Sequence, residues 1–235
     1  MVPTRVRSVP RRAFTPELLA RLHALANRLL SEDAEHFRVH AETNDVVHVF
    51  ERADTGEVVG FQFWRTAPMA LPRARALLGG KLRVDPAFRN RALHLRSGLR
   101  YFVACKARHP HVRFYRLSLA SMFGFVSITS ALADYHLFDP AATDEEGRAV
   151  REILEQLAAE SDFHLDPATG LFAVGIHMNE ETLARYPAAY FAKPQALAYA
   201  RANPAWRDNG CYVAFWFRFT WQNLWALTRA IARKW

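Results

Sequence analysis

Cysteine is almost missing from this chain. Cys105 and Cys211 are the only two in 235 residues, and they lie far apart. Two distant thiols exclude a disulfide scaffold and read as reduced core residues of a cytoplasmic protein. Lysine is scarce as well, with four residues (Lys81, Lys106, Lys193, Lys234) among 31 bases. No apolar run approaches the roughly 20 residues that a membrane-spanning helix needs. The N-terminus carries arginines but no apolar stretch behind them, so no secretory signal is expected. Repeats and low-complexity segments are absent too. What remains is 51% hydrophobic and 13% aromatic, a composition that excludes disorder for most of the chain.

The net charge of +8 suggests a polyanion partner until it is divided along the chain. Residues 1–13 carry +4, residues 14–71 carry −4, and the last seven carry +3. Residues 72–118 hold twelve bases against one acid, Asp85, and residues 119–228 sum to −6. A basic block between acidic flanks points to a local anion site rather than to a nucleic-acid surface. The aromatics of that block (Phe88, Tyr101, Phe102, Phe114, Tyr115) follow core periodicity better than the pattern of a stacking platform, so nucleic acid is not expected.

Residues 1–13 form an Arg/Pro-rich arm without periodicity, expected to be flexible. Thr15-Pro16-Glu17 supplies an N-cap hydroxyl and a proline at the first helical position. Leu18, Leu22, Leu25 and Leu29 then recur at helical spacing. Ser31-Glu32-Asp33 reads as the cap of a second helix running to about Glu42. Val46–Arg52 and Val58–Arg65 are β-rich, with a hairpin turn between them. Residues 66–80 contain Pro68, Pro72 and Gly79-Gly80 and read as a loop, before a short strand over Lys81–Val84. A helix follows over about 91–107, a strand over Val112–Leu119 and a helix over about 123–135. Thr143 and Glu146 make a capping box for a helix to about 160. Leu171–Ile176 reads as a strand, 180–203 as two short helices, Cys211–Phe219 as an apolar strand, and Thr220 opens a last helix. The order of elements predicts an α/β fold around one sheet.

The chemistry is concentrated at 81–94. The strand Lys81-Leu82-Arg83-Val84 runs through Asp85-Pro86-Ala87-Phe88-Arg89-Asn90-Arg91-Ala92-Leu93-His94 straight into a helix. The free N–H groups and positive dipole end of that helix suit a phosphate, and Arg89 and Arg91 add fixed charge. Here the sequence resembles the GNAT acyltransferase superfamily, whose motif V-x-P-x-x-[RQ]-x-x-G-x-[GA] lies at this place. Val84, Pro86 and Arg89 match. Ala92 stands where the first glycine is expected and His94 where the second is. The resemblance covers residues 45–138 and rests on element order as much as on letters.

That resemblance implies an α/β (α+β) fold with a GNAT-like twisted mixed sheet flanked by helices. It implies a core over 14–140, with a C-terminal extension of helices and strands over 141–235 that completes the sheet and covers the acceptor or acyl site. The implied reaction is acyl transfer from an acyl-coenzyme A, acetyl or longer, to a small-molecule amine. Leu82, Arg83 and Val84 would hold the pantetheine arm, and Arg89, Asn90, Arg91, Ala92, Leu93 and His94 the diphosphate. The family's general acid is a tyrosine after a strand such as Leu117-Ser118-Leu119. Tyr135, displaced from the usual register, or Ser121 would take that role. The family's carboxylate base has no counterpart in Lys81–Val84, which leaves Glu51, His48 or water.

Other readings stay open. The same fold could take its acyl group from an acidic acyl carrier protein docked on the basic block. It could also be a non-catalytic module that binds a ligand, a partner or a membrane. His36 and His40 with Glu35 make half a metal site and lack a third ligand, so no metal is expected. In the last helix Trp221, Leu224, Trp225, Thr228, Ile231 and Trp235 fall on one side, with Arg229, Arg233 and Lys234 towards the other. Residues 220–235 are either an interfacial helix touching a membrane peripherally or a terminal helix packed on the sheet.

Overall fold

Hydrophobic alternation sets the first half of the structure, a computed structural model that describes residues 2–29, 33–161, 163–177 and 183–234. The fold class is α/β, with an open mixed sheet flanked by helices. The chain divides into two compact units: Met1–Ala67 with Leu77–Val112 and Thr228–Trp235, and Pro68–Ala76 with Arg113–Leu227.

In the first unit the strands are β1 (Thr4–Pro10), β2 (Val46–Arg52), β3 (Val58–Pro68) and β4 (Ala74–Val84), whose first three residues belong to the second unit. They neighbour one another in that order, and β1–β2 and β2–β3 pair antiparallel. Residues 1–13 read as a loose arm in sequence; Thr4–Pro10 instead form an edge strand. Its arginines hold it there. Arg5 and Arg7 donate to the two carboxylate oxygens of Glu51 at 3.0 and 2.8 Å, and that carboxylate is nearly buried.

The helices of this unit are α1 (Pro16–Leu29), α2 (Ala34–Glu42) and α3 (Leu93–Arg108). Thr15 caps α1 as its sequence predicts, with its hydroxyl accepting from Leu18 N–H at 3.2 Å. The expected cap of α2 at Ser31-Glu32 lies outside the described residues. The period-two pattern of β2 and β3 divides their side chains between two faces. Val47, Val49, Phe61 and Phe63 pack with Leu22, Leu25 and Phe37 of α1 and α2. Phe50 and Val59 pack with Leu93 of α3.

The loop expected over 66–80 is largely strand. Only residues 69–73 turn, with Arg73 at φ 54°, and Gly79-Gly80 lie inside β4. Proline and glycine signals were local, whereas β4 is held by its neighbours in the sheet.

The second unit contains β5 (Arg113–Ala120), α4 (Met122–Thr129), β6 (His136–Leu137), α5 (Glu145–Glu160), β7 (His164–Leu165) and β8 (Leu171–Ala173). It continues with α6 (Ala188–Phe191), α7 (Pro194–Ala202), β9 (Cys211–Arg218) and most of α8 (Trp221–Ala232). The strand order is β5-β9-β8-β7, with β6 also on β9, all antiparallel. Phe125 of α4 meets Tyr199 of α7 and Phe215 of β9 edge-on, with ring centres 5.4 and 5.1 Å apart.

The capping box at Thr143 and Glu146 is replaced by Asp144, whose carboxylate accepts from Gly147 N–H at 2.8 Å. Glu146 is drawn away by long-range partners. It accepts from the Tyr115 hydroxyl at 2.6 Å and from Arg218 at 3.3 Å.

Candidate functional site

The predicted strand–loop–helix is present within the first unit. β4 ends at Val84, Asp85 closes it by accepting from Ala87 N–H at 2.9 Å, and α3 begins at Leu93. Asn90 and Ala92 both adopt left-handed backbone, at φ 65° and 53°. Ala92 occupies the place of the motif's first glycine, and it takes the conformation that glycine adopts freely. It is also the N-cap of α3, and no side chain caps that end. The first N–H groups of α3 therefore have the disposition that holds an anion.

The side chains do less here than the sequence suggests. Leu93 points into the core with Phe50 and Val59. Arg91 lies over the Phe88 ring at 4.4 Å and donates to the Val2 carbonyl at 2.7 Å. Arg83 donates Nη1 to the Leu82 carbonyl at 3.2 Å. Arg89 is exposed and makes one long contact from Nε to the Val84 carbonyl, at 3.4 Å. His94, the second residue of α3, is half-buried. Of the two motif arginines, Arg89 is the one that a ligand could recruit at little structural cost. Replacing Arg91 by Ala is expected to lower the melting temperature, because a cation–π contact and a side-chain-to-backbone hydrogen bond go together. Thermal denaturation of the variant checks this.

The candidate base residues have structural duties. Glu51 is clamped by Arg5 and Arg7. His48 is buried, with Nδ1 2.9 Å from the Ser97 hydroxyl, which also accepts from Trp64 Nε1 at 2.7 Å. Burial, and next the positive charge of Arg100, push the His48 pKa down to about 4, with the Ser97 contact opposing them. Sequence reasoning passed over Lys81. It sits inside β4 at φ 43°, its ammonium 5.8 Å from the centre of the Phe37 ring. Burial, and then the neighbouring Arg83, lower its pKa to about 8. The signal was Gly79-Gly80 directly before it, which interrupts the side-chain alternation of the strand.

Ser121 and Tyr135 belong to the second unit. Ser121 takes the N-cap position of α4, yet its hydroxyl makes no cap hydrogen bond. Tyr135 lies beyond α4, which ends at Thr129 rather than near 135. Its ring packs edge-on against Phe125 and Phe215, and burial raises its phenol pKa. Burial as the sole cause also brings the guanidinium of Arg116 on β5 down to about 9.

A separate cavity of about 540 Å³ opens in the first unit beside α1 and α2, with Phe14, Leu19, His23 and Phe37 in its lining. None of the predicted site residues lines it. No three His, Cys, Asp or Glu side chains among the described residues converge as a metal site. The side chain of His36 lies outside the described residues.

No family model and no curated protein matches the chain. Solved structures do. A glucosamine-6-phosphate N-acetyltransferase from Arabidopsis thaliana aligns at 18% identity and TM-score 0.34, over 46% of this chain and 77% of that one. An acyl-CoA N-acyltransferase from Pseudomonas aeruginosa aligns at 12% identity and TM-score 0.37, over 49% and 80%. The GNAT family N-acetyltransferase YhbS from Escherichia coli, solved with CoA, aligns at 14% identity and TM-score 0.40, over 54% and 67%.

Proposed function

We propose that this chain transfers an acyl group from an acyl-coenzyme A thioester to an amine. The observation that carries the reading is Ala92. An alanine held at φ 53° on the uncapped end of α3 keeps the glycine-type backbone of a diphosphate loop without the glycine. In this reading the diphosphate sits on the first N–H groups of α3 with Arg89 beside it. The β4 backbone at Leu82–Val84 takes the pantetheine arm. The amine attacks the thioester carbonyl, the C–S bond breaks, and the thiolate leaves with a proton.

The family resemblance assigns that proton to Tyr135 or Ser121, and burial raises the phenol pKa of Tyr135. Lys81 is the candidate base, because a group titrating near 8 can accept a proton from an incoming ammonium at working pH.

Calorimetry with acetyl- and longer acyl-coenzyme A tests the reading, and the absence of heat with every donor would end it. Arg89→Gln is expected to weaken coenzyme A binding by roughly tenfold, the scale of one charge-assisted contact, at unchanged melting temperature. Lys81→Met is expected to remove a rise in kcat near pH 8 in the pH–rate profile.

A further inference from the structure

Helix α8 is turned by one buried amide. Asn223 accepts at Oδ1 from Ala133 N–H and Asp134 N–H, at 2.9 and 3.0 Å. Its Nδ2 donates to the carbonyls of Asp134 and Arg218, at 3.0 and 2.9 Å. Asn223 and Leu227, one turn apart, are the buried residues of the helix. At 100° per residue, positions two away from these point to the opposite side. Trp221 and Trp225 lie there, 74% and 55% exposed, with their rings stacked at 6.3 Å and 25°. Packing against the fold therefore accounts for Asn223 and Leu227 and leaves both tryptophans outward.

The charge carried by the helix itself is one-sided. Residues 219–235 contain no acid and three bases, Arg229, Arg233 and Lys234, while Arg218 before them is paired with Glu146. Arg229 and Arg233 are exposed on the turns that follow Trp225. An indole has an apolar body and an N–H that prefers a wet boundary, the balance found where protein meets the headgroup level of a bilayer. Adjacent arginine and lysine side chains favour anionic headgroups. No helix of the described residues is long and apolar enough to cross a membrane, so the helix would lie on the surface. A protein groove for two tryptophans would not by itself call for a helix end with three bases and no acid. The charge pattern therefore selects the lipid.

We infer that α8 is a peripheral docking helix that seats Trp221 and Trp225 in the headgroup layer of an anionic membrane, with Arg229, Arg233 and Lys234 on the phosphates. The inference is independent of the acyl-transfer reading and asks nothing of the site at 81–94.

Flotation of the full chain with vesicles of phosphatidylcholine alone, or mixed with phosphatidylglycerol, tests it. Binding is expected only with the anionic mixture, and to fall as salt is raised. The pair Trp221→Ser and Trp225→Ser is expected to reduce binding at least tenfold, on the order of two indoles lost from the interface, while the melting temperature holds. Arg229→Gln with Arg233→Gln and Lys234→Gln is expected to abolish the preference for the anionic mixture. Brominated phospholipid should quench the wild-type tryptophan emission more than that of the double variant. No binding to anionic vesicles, or binding that ignores both sets of substitutions, would overturn the inference. So would a dimer in solution that the tryptophan pair alone disrupts.

Discussion

Acidification from pH 6.5 to pH 4 is expected to remove about 3 kcal/mol of stability through His48 alone. The ring is 2% exposed, and burial is the first cause of its lowered pKa, followed by Arg100. A base whose folded pKa lies below its unfolded value takes up its proton first in the unfolded chain. Between the unfolded value of 6.5 and the folded value of about 4, the unfolded state therefore binds more protons, and stability drops as pH falls. The slope approaches about 1.4 kcal/mol per pH unit inside that window. It vanishes above the window, where neither state is protonated, and below it, where both are.

Urea unfolding of wild type and His48→Gln across pH 4 to 7 checks this. The variant should be weaker at pH 7, because the Ser97 hydroxyl and the Trp64 N–H it serves lose part of their network. Its stability should nevertheless depend less steeply on pH. Parallel pH profiles for the two proteins would show that His48 is not the titrating group.

Gly60→Ala is expected to lower stability by about 3 kcal/mol, through crowding rather than through backbone conformation. Gly60 does not adopt positive φ; among the described residues Gly56, Gly170, Gly175 and Gly210 do. A Cβ at Gly60 would stand 2.7 Å from the Arg83 carbonyl oxygen, 2.9 Å from a Phe50 ring carbon and 3.2 Å from the Val84 Cα. Two of those three atoms are backbone of β4, so relief requires moving the strand that leads into the 84–94 loop.

Gly56→Ala is the matched control. It has φ 73° and nothing within 4 Å of a new Cβ, so only the left-handed penalty of about 1 kcal/mol applies. For a chain of this length those losses correspond to roughly 6–12 °C and 2–4 °C in melting temperature. If the two variants melt together, the close approach of β3 and β4 is not what fixes Gly60. Under the proposed acyl-transfer reading, because the shifted atoms belong to Arg83 and Val84, Gly60→Ala should also weaken coenzyme A binding, which Gly56→Ala should not.

These outcomes separate what is local from what is long-range in this protein. The 46–65 hairpin, the Thr15 start of α1, the helix after residue 92 and the strand near 113–120 were legible because each is fixed by periodicity or by a cap within a few residues. The 84–94 loop was legible for the same reason, its proline, arginine and helix start being neighbours in sequence.

Where a side chain goes once the sheet is assembled was not legible. Glu51 looked like a free base until β1 brought Arg5 and Arg7 to it, from more than forty residues away. Arg91 looked like a phosphate contact until Val2 and Phe88 took it. Glu146 looked like half of a capping box until Tyr115 and Arg218 competed for it. The last helix is the sharpest case. Its wheel allowed the tryptophans to face either way, and only Asn223 reaching Ala133 and Asp134, some ninety residues back, turned them outward. Sequence alone determined most of the elements, though not edge strand β1 or the first part of β4, and the loop that an anion could occupy. Tertiary structure decided which charged and aromatic groups were left to meet a ligand or a surface, because contacts between distant segments compete for the same side chains.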